Sequence, residues 1–255
     1  STSNVTITGN AITDNAAQAQ GGGLSIWGDL QVRVSDNQIS ANTAITGGGI
    51  FDHGNLWPLY NNTVSGNNAT NGAGVALDHG ASVLDQNLIV SNTATQDGAG
   101  VYVNGGHYSG VGPTLTGNTV RANTAGSDGG GLATRNVDVT IRENTITDNQ
   151  ATGGGGMDLF GSSGTLVEAN RVSGNSAGAG AGLRLGMFDG MLEGNIIRSN
   201  RATGDGGGLE VFGGGNWRNN VIIDNEAGGR GSAFYMKQGQ LNMQHTTIAR
   251  NAGGD

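Results

Sequence analysis

No cysteine occurs in this 255-residue chain. That excludes a disulfide framework and a thiolate-held zinc site. Lysine is almost as scarce, with Lys237 the single example. Lys and Arg together number 12 against 20 Asp and Glu, for a formal net charge of −8. A phosphate backbone is met by a stripe of cations, so no nucleic acid is expected as a partner. No run of 18 apolar residues is present, so no transmembrane helix is expected. No secretory leader is read in the sequence either, since Ser1 already lies inside the repeat described below, so a processed or trimmed product is expected. Glycine is in excess, 50 residues without a Gly-x-y period, which excludes collagen. Such a composition favours disorder, but apolar residues in register argue for a packed core.

The register comes from a repeat. Residues 144–159 show its plan: Asn-x-Ile-x-x-Asn-x-Ala, a short step, mostly glycine, then apolar-x-apolar. The second Asn recurs at Asn15, Asn42, Asn67, Asn92, Asn123, Asn149, Asn175, Asn200, Asn225 and Asn251, at intervals of 25 to 31 residues. A period in the twenties marks a solenoid, in which each repeat buries its apolar face only against its neighbours. Period-two alternation around glycine and asparagine marks short strands. The coil is too short for a helical crossover, and the Leu-x-x-Leu-x-Leu-x-x-Asn pattern of a leucine-rich horseshoe is missing. The expected fold is an all-β, right-handed parallel β-helix of about ten coils with three strand faces, one domain over residues 1–255. At about 4.8 Å per coil the rod is roughly 45–50 Å long.

Three interior columns follow. One runs from Ile7 and Val34 to Trp217 and Met243, a second from Ile12 and Ile39 to Ile222 and Ile248, and a third from Leu24 and Ile50 to Leu183 and Leu209. The Asn column reads as a corner ladder of stacked amides, helped by the tolerance of Asn for left-handed backbone angles. The Ala column, from Ala17 to Ala227, reads as a tight corner, and the glycine triplets as turns. Residues 105–113 expand one coil into a loop with His107 and Tyr108 at its tip. Insertions in solenoids gather on one face, often the binding face.

These motifs make the chain resemble the right-handed parallel β-helix repeat proteins of bacteria. It is similar to the passenger domains of polymorphic outer-membrane proteins, whose repeats carry a Gly-Gly-Ala-Ile-like tetrad and a Phe-x-x-Asn tetrad. Gly21-Gly22-Gly23-Leu24 and Gly47-Gly48-Gly49-Ile50 match the first, and Ile12-Thr13-Asp14-Asn15 and Ile146-Thr147-Asp148-Asn149 the second. Ile or Val stands where that family has Phe. The fold also resembles that of pectate lyases and polysaccharide hydrolases. The resemblance implies an exported protein in an extracellular or cell-surface setting, in contact with glycans.

Residues that break the columns are the candidates for function. Asp52, His53, Asp78, His79, Asn104 and His107 form one cluster on consecutive coils. An Asp-His pair serves acid-base chemistry or holds a divalent cation, so Asp52, His53 and Asp78 are candidate metal ligands, with calcium as the ion to test. The shift of register between these coils argues against convergence on a tight site. No organic cofactor is expected. The competing reading is a polar corner. His53, Asp78, His79, Asn104, His107, Tyr108 and Phe212 are the candidate ligand-binding residues.

The second cluster is Asp158, Arg184 and Glu210, expected to face outward from successive coils. The two carboxylates are then about 9–10 Å apart, at the upper edge of the separation in an inverting glycosidase. Arg184 between them either binds an acidic sugar or neutralises both neighbours in a charge ladder. Met187, Phe188 and Phe212 are candidates for a sugar-stacking surface.

The favoured functional expectation is a non-enzymatic structural or adhesive domain that touches a glycan or another cell-surface ligand, or that stacks end to end into a filament. The alternative is a lyase or inverting hydrolase acting on an acidic glycan. The chain starts and stops without caps, so flanking domains or neighbouring copies at the coil ends are the expected partners, within a longer chain.

Overall fold

The computed structural model describes residues 4–28, 31–54, 58–105 and 112–253. Among the described residues, each strand pairs in parallel with its equivalent in a neighbouring coil. A single coil shows the plan: strands Thr140–Arg142, Thr145–Thr147, Gln150–Gly153 and Met157–Phe160, in that order. Stacked, they make four sheets. The first sheet has 10 strands (Asn4–Thr8 to Leu241–Gln244), the second 10 (Ala11–Thr13 to Thr247–Ala249) and the third 9 (Leu24–Trp27 to Phe234–Gln238). Among the described residues, ten coils are thus entered and nine are carried round to the third sheet.

The expected columns appear residue for residue. Ile141 sits beside Leu115 and Val167 in the first sheet, Ile146 beside Val120 and Val172 in the second, and Met157 beside Leu132 and Leu183 in the third. All three columns meet in one continuous core. Fully burying each such side chain contributes roughly 1.5–3 kcal/mol. Trp217 closes edge-on against Phe234, with ring centroids 5.9 Å apart, so the largest residues fill the late coils.

Three strand faces understate the architecture. The Ala column builds a fourth sheet of 7 short strands, from Asn68–Ala69 to Glu226–Ala227. Its methyl groups form a thin core of their own, with Ala69, Ala94 and Ala125 packed on Ala73 and Ala99. Five of its seven strands are two residues long, too short to leave an alternation in the sequence.

The Asn column is a ladder along its whole length. Each side-chain amide nitrogen donates to the Oδ1 of the next asparagine at 2.9–3.1 Å, from Asn15 to Asn251. A second ladder lies five residues upstream, from Asn10 through Asn37, Asn62, Asn87, Asn118, Asn144, Asn170 and Asn195 to Asn220.

The left-handed backbone is not where the sequence places it. It belongs to the residue before each ladder Asn, such as Ala41, Ala122, Asp148 and Ser199, with φ between 54° and 57°. That residue turns the corner, and the Asn then directs its amide inward. The third glycine of each triplet packs against the ladder: a Cβ on Gly131 would lie 3.1 Å from Asn149 Nδ2 and 2.6 Å from the Gly156 carbonyl oxygen.

Candidate functional site

The outer face of the third sheet gathers both candidate clusters. Side chains alternate across a strand, so residues two apart share a face. Asp158, Arg184 and Glu210 are neighbours in one outward column that continues to Tyr235. A parallel outward column runs through Trp27, His53, Asp78, Asn104, Arg135, Phe160 and Gly186 to Phe212.

The glycine corner folds back against this face, and the strip of the face along that corner is its trough. A Cβ on Gly154 (φ +60°) would come within 2.8 Å of the Asp158 Cβ. The outward column is therefore covered, and Asp158 and Glu210, expected on the surface, are only 1% and 3% exposed. Sequence alternation identifies the face but not the depth.

The corner also contributes residues that the sequence pattern does not single out. Asp97 and Asp128 stand just before their glycines and reach across the trough. Arg135 contacts Asp158 at 2.5 Å, Asp97 at 2.8 Å and Asp128 at 3.3 Å. Arg184 contacts Asp128 at 2.5 Å, and its Nε lies 3.3 Å from Asp158 Oδ1, in ion-pair range but not aligned as a hydrogen bond. Arg184 therefore does not bridge Asp158 and Glu210 as expected. Glu210 pairs instead with Lys237, at 2.7 Å. Arg135 was legible as the next member of the column holding His53, Asp78 and Asn104.

Burial pushes the Asp158 carboxyl up to about 6, against the opposing pull of Arg184 and Arg135 and with the help of Asp128. Burial works to lower the Arg135 pKa, but Asp158, Asp97 and Asp128 outweigh it and hold the guanidinium above its usual value. The arginine stays charged throughout, so Asp158 is the member of the pair that titrates.

The histidine cluster converges, contrary to the register argument. His53 Nδ1 lies 3.1 Å from Asp78 Oδ2, His79 Nδ1 lies 3.0 Å from Asp78 Oδ1, and Asn104 Nδ2 donates to Asp78 Oδ1 at 3.0 Å. His79 has φ 56°, which breaks the strand alternation and returns its ring to the side of Asp78. No sequence pattern signals that angle. Asp52 is separated from this group. It occupies the inward register between Ile26 and Leu77 and is fully buried, so it cannot share an ion with His53.

Trp27, half exposed, lies over His53 with centroids 4.7 Å apart and over Phe51 at 5.3 Å. At the other end of the trough, Lys237 Nζ lies 4.2 Å from the Phe212 ring centroid. Phe188 faces inward and belongs to the main core, while Met187 is exposed. They cannot form one stacking surface with Phe212. His107 and Tyr108 lie outside the described residues.

Comparison with curated proteins and with solved structures returned no match. The family model for the right-handed β-helix region matches residues 1–120 and 95–252, the whole repeat array. With the parallel coils, the two Asn ladders and this match together, the chain belongs to the right-handed β-helix family.

Proposed function

We propose that this β-helix is a rigid, non-enzymatic adhesive domain acting outside the cell, with a glycan lying along the trough of the third sheet. One observation carries the reading: the carboxylates suited to catalysis are already neutralised within the chain, Asp158 by Arg135 and Arg184, and Glu210 by Lys237. A general acid and base need room for substrate and water between them, whereas these groups spend their contacts on each other. The aromatic rings of Trp27 and Phe212 stand at opposite ends of the trough and suit stacking on sugar rings. The resemblance to surface passenger domains points the same way.

A catalytic reading has one observation in its favour. The raised carboxyl of Asp158 suits a general acid near neutral pH. Incubation with neutral and acidic polysaccharides separates the two readings. Adhesion predicts retarded migration in polysaccharide gels, weakened in Trp27→Ala and Phe212→Ala, with no new reducing ends or unsaturated products. Cleavage that disappears in Asp158→Asn and Glu210→Gln would replace adhesion with catalysis.

A further inference from the structure

We infer that His53, Asp78 and His79 form a binding site for a divalent transition-metal ion of the zinc class. The site does not depend on the glycan reading. One ligand atom from each residue lies within 4.8 Å of the others. The closest approaches are shorter, at 3.1 Å and 3.0 Å from the two imidazole nitrogens to the one carboxylate. Ligand atoms around a tetrahedral zinc, with bonds of about 2.0–2.2 Å, stand about 3.3–3.6 Å from one another. The imidazole nitrogens therefore already stand close to metal-ligand spacing from the carboxylate.

The supports around them are built for the purpose. Asn104 Nδ2, from the next coil, donates to Asp78 and orients its carboxylate. His53 is held by its ring contacts with Trp27 at 4.7 Å and Phe51 at 6.4 Å. His79 is aimed by its left-handed backbone. Among the described residues no arginine or lysine pairs with Asp78, in contrast to the neighbouring Asp97, Asp128 and Asp158. The chain thus pairs its other trough carboxylates with arginine or lysine and leaves this one to two imidazoles.

The donor set selects the ion. Two imidazoles and one carboxylate suit zinc, copper or nickel. Calcium takes six to eight oxygen ligands, and this site offers too few. Three protein ligands leave a position for water, so the site is open rather than closed.

Isothermal titration of the untagged 255-residue chain with zinc chloride, and separately with calcium chloride, tests the inference. The expected result is one zinc site with Kd below about 10 μM and calcium binding at least tenfold weaker. His53→Gln, Asp78→Asn and His79→Asn should each weaken zinc at least tenfold. Asn is chosen at position 79 because it tolerates the left-handed angle. His245→Asn, in a distant coil and likewise at a left-handed position, should leave the affinity unchanged. Circular dichroism of each variant confirms that the solenoid is intact. Zinc binding weaker than this threshold, equal affinity for calcium, or retained affinity in all three folded site variants overturns the proposal.

Discussion

The side-chain amide of Asn149 donates to Oδ1 of Asn175, one coil on, at 3.0 Å. The same nitrogen donates to the Val120 carbonyl at 3.0 Å, and the Asn149 oxygen accepts from both the backbone and side-chain nitrogens of Asn123. An amide offers two donors and two lone pairs, and here all four are used. The ladder therefore leaves no slack for a substitute.

Asn149→Ala should cost about 2–3 kcal/mol, because buried partners on two coils lose their bonds. Thr147→Ala, two residues away and half-buried, should cost under about 1 kcal/mol. Reversible denaturant melts of the two variants give the comparison. Equal midpoints would contradict the ladder's energetic role.

Ala122→Gly should stabilise the chain by about 0.5–1 kcal/mol, because the strain at this corner exceeds the added flexibility of an unfolded glycine. Ala122 turns the corner before Asn123 with φ 54°. Gly66 and Gly174 fill the equivalent corner of other coils with φ 62° and 68°. Denaturant melts of the variant and its parent make the measurement. A lowered midpoint would show that the corner carries no such strain.

Stability should rise as pH falls from about 7 to about 5. Asp158 has its folded pKa raised from 3.8 to about 6. A raised carboxyl binds its proton more tightly in the folded state, so its burial penalty is full above about 6 and relieved as the proton returns. The linkage is on the order of 2–3 kcal/mol, since each tenfold gain in proton affinity is worth about 1.36 kcal/mol. Asp36, Asp205 and Asp224 have lowered values and act in the opposite sense, below the usual carboxylate range. Thermal melts between about pH 4 and 8 should show the rise in the parent chain and a much smaller one in Asp158→Asn, where Asp85, also raised by burial, still acts in the same sense.

Arg135→Ala should be among the most damaging substitutions on the outer face of the third sheet, at about 3–5 kcal/mol, since it strips a partner from the enclosed carboxylate of Asp158. Arg142→Ala breaks an ion pair with Glu168 whose partners are 45% and 31% exposed, and should cost under about 1 kcal/mol. Paired denaturant titrations would reveal the gap, and similar losses would mean that the trough network is solvated.

The core was legible in the sequence because β-branched and apolar residues alternate with a strict period, so Ile141, Ile146 and Met157 declare their faces. The site was legible only in outline. Asp158, Arg184 and Glu210 were assigned to the correct column but to the wrong depth, since the covering corner is glycine and leaves no hydrophobic mark. His79 joined the right cluster for a reason invisible in composition, a backbone angle. The ladder through Asn144 is written into the repeat as its first Asn, yet nothing in the residue type alone separates a stacked amide from an ordinary turn.

In the coils from Asn10 to Asn225, the paired asparagines of the two ladders are five residues apart, as in Asn118 and Asn123 or Asn195 and Asn200. The distance from one coil to the next varies, from 25 residues at Asn62–Asn87 to 31 at Asn87–Asn118. The five-residue segment therefore acts as a gauge block, and the rest of the coil absorbs changes in length. Coils of unequal length can therefore stack in one rod with both ladders unbroken, so long as that block arrives whole. Rod length and coil length are thus set by different parts of the repeat, the block fixing how coils stack and the remainder how far each one reaches.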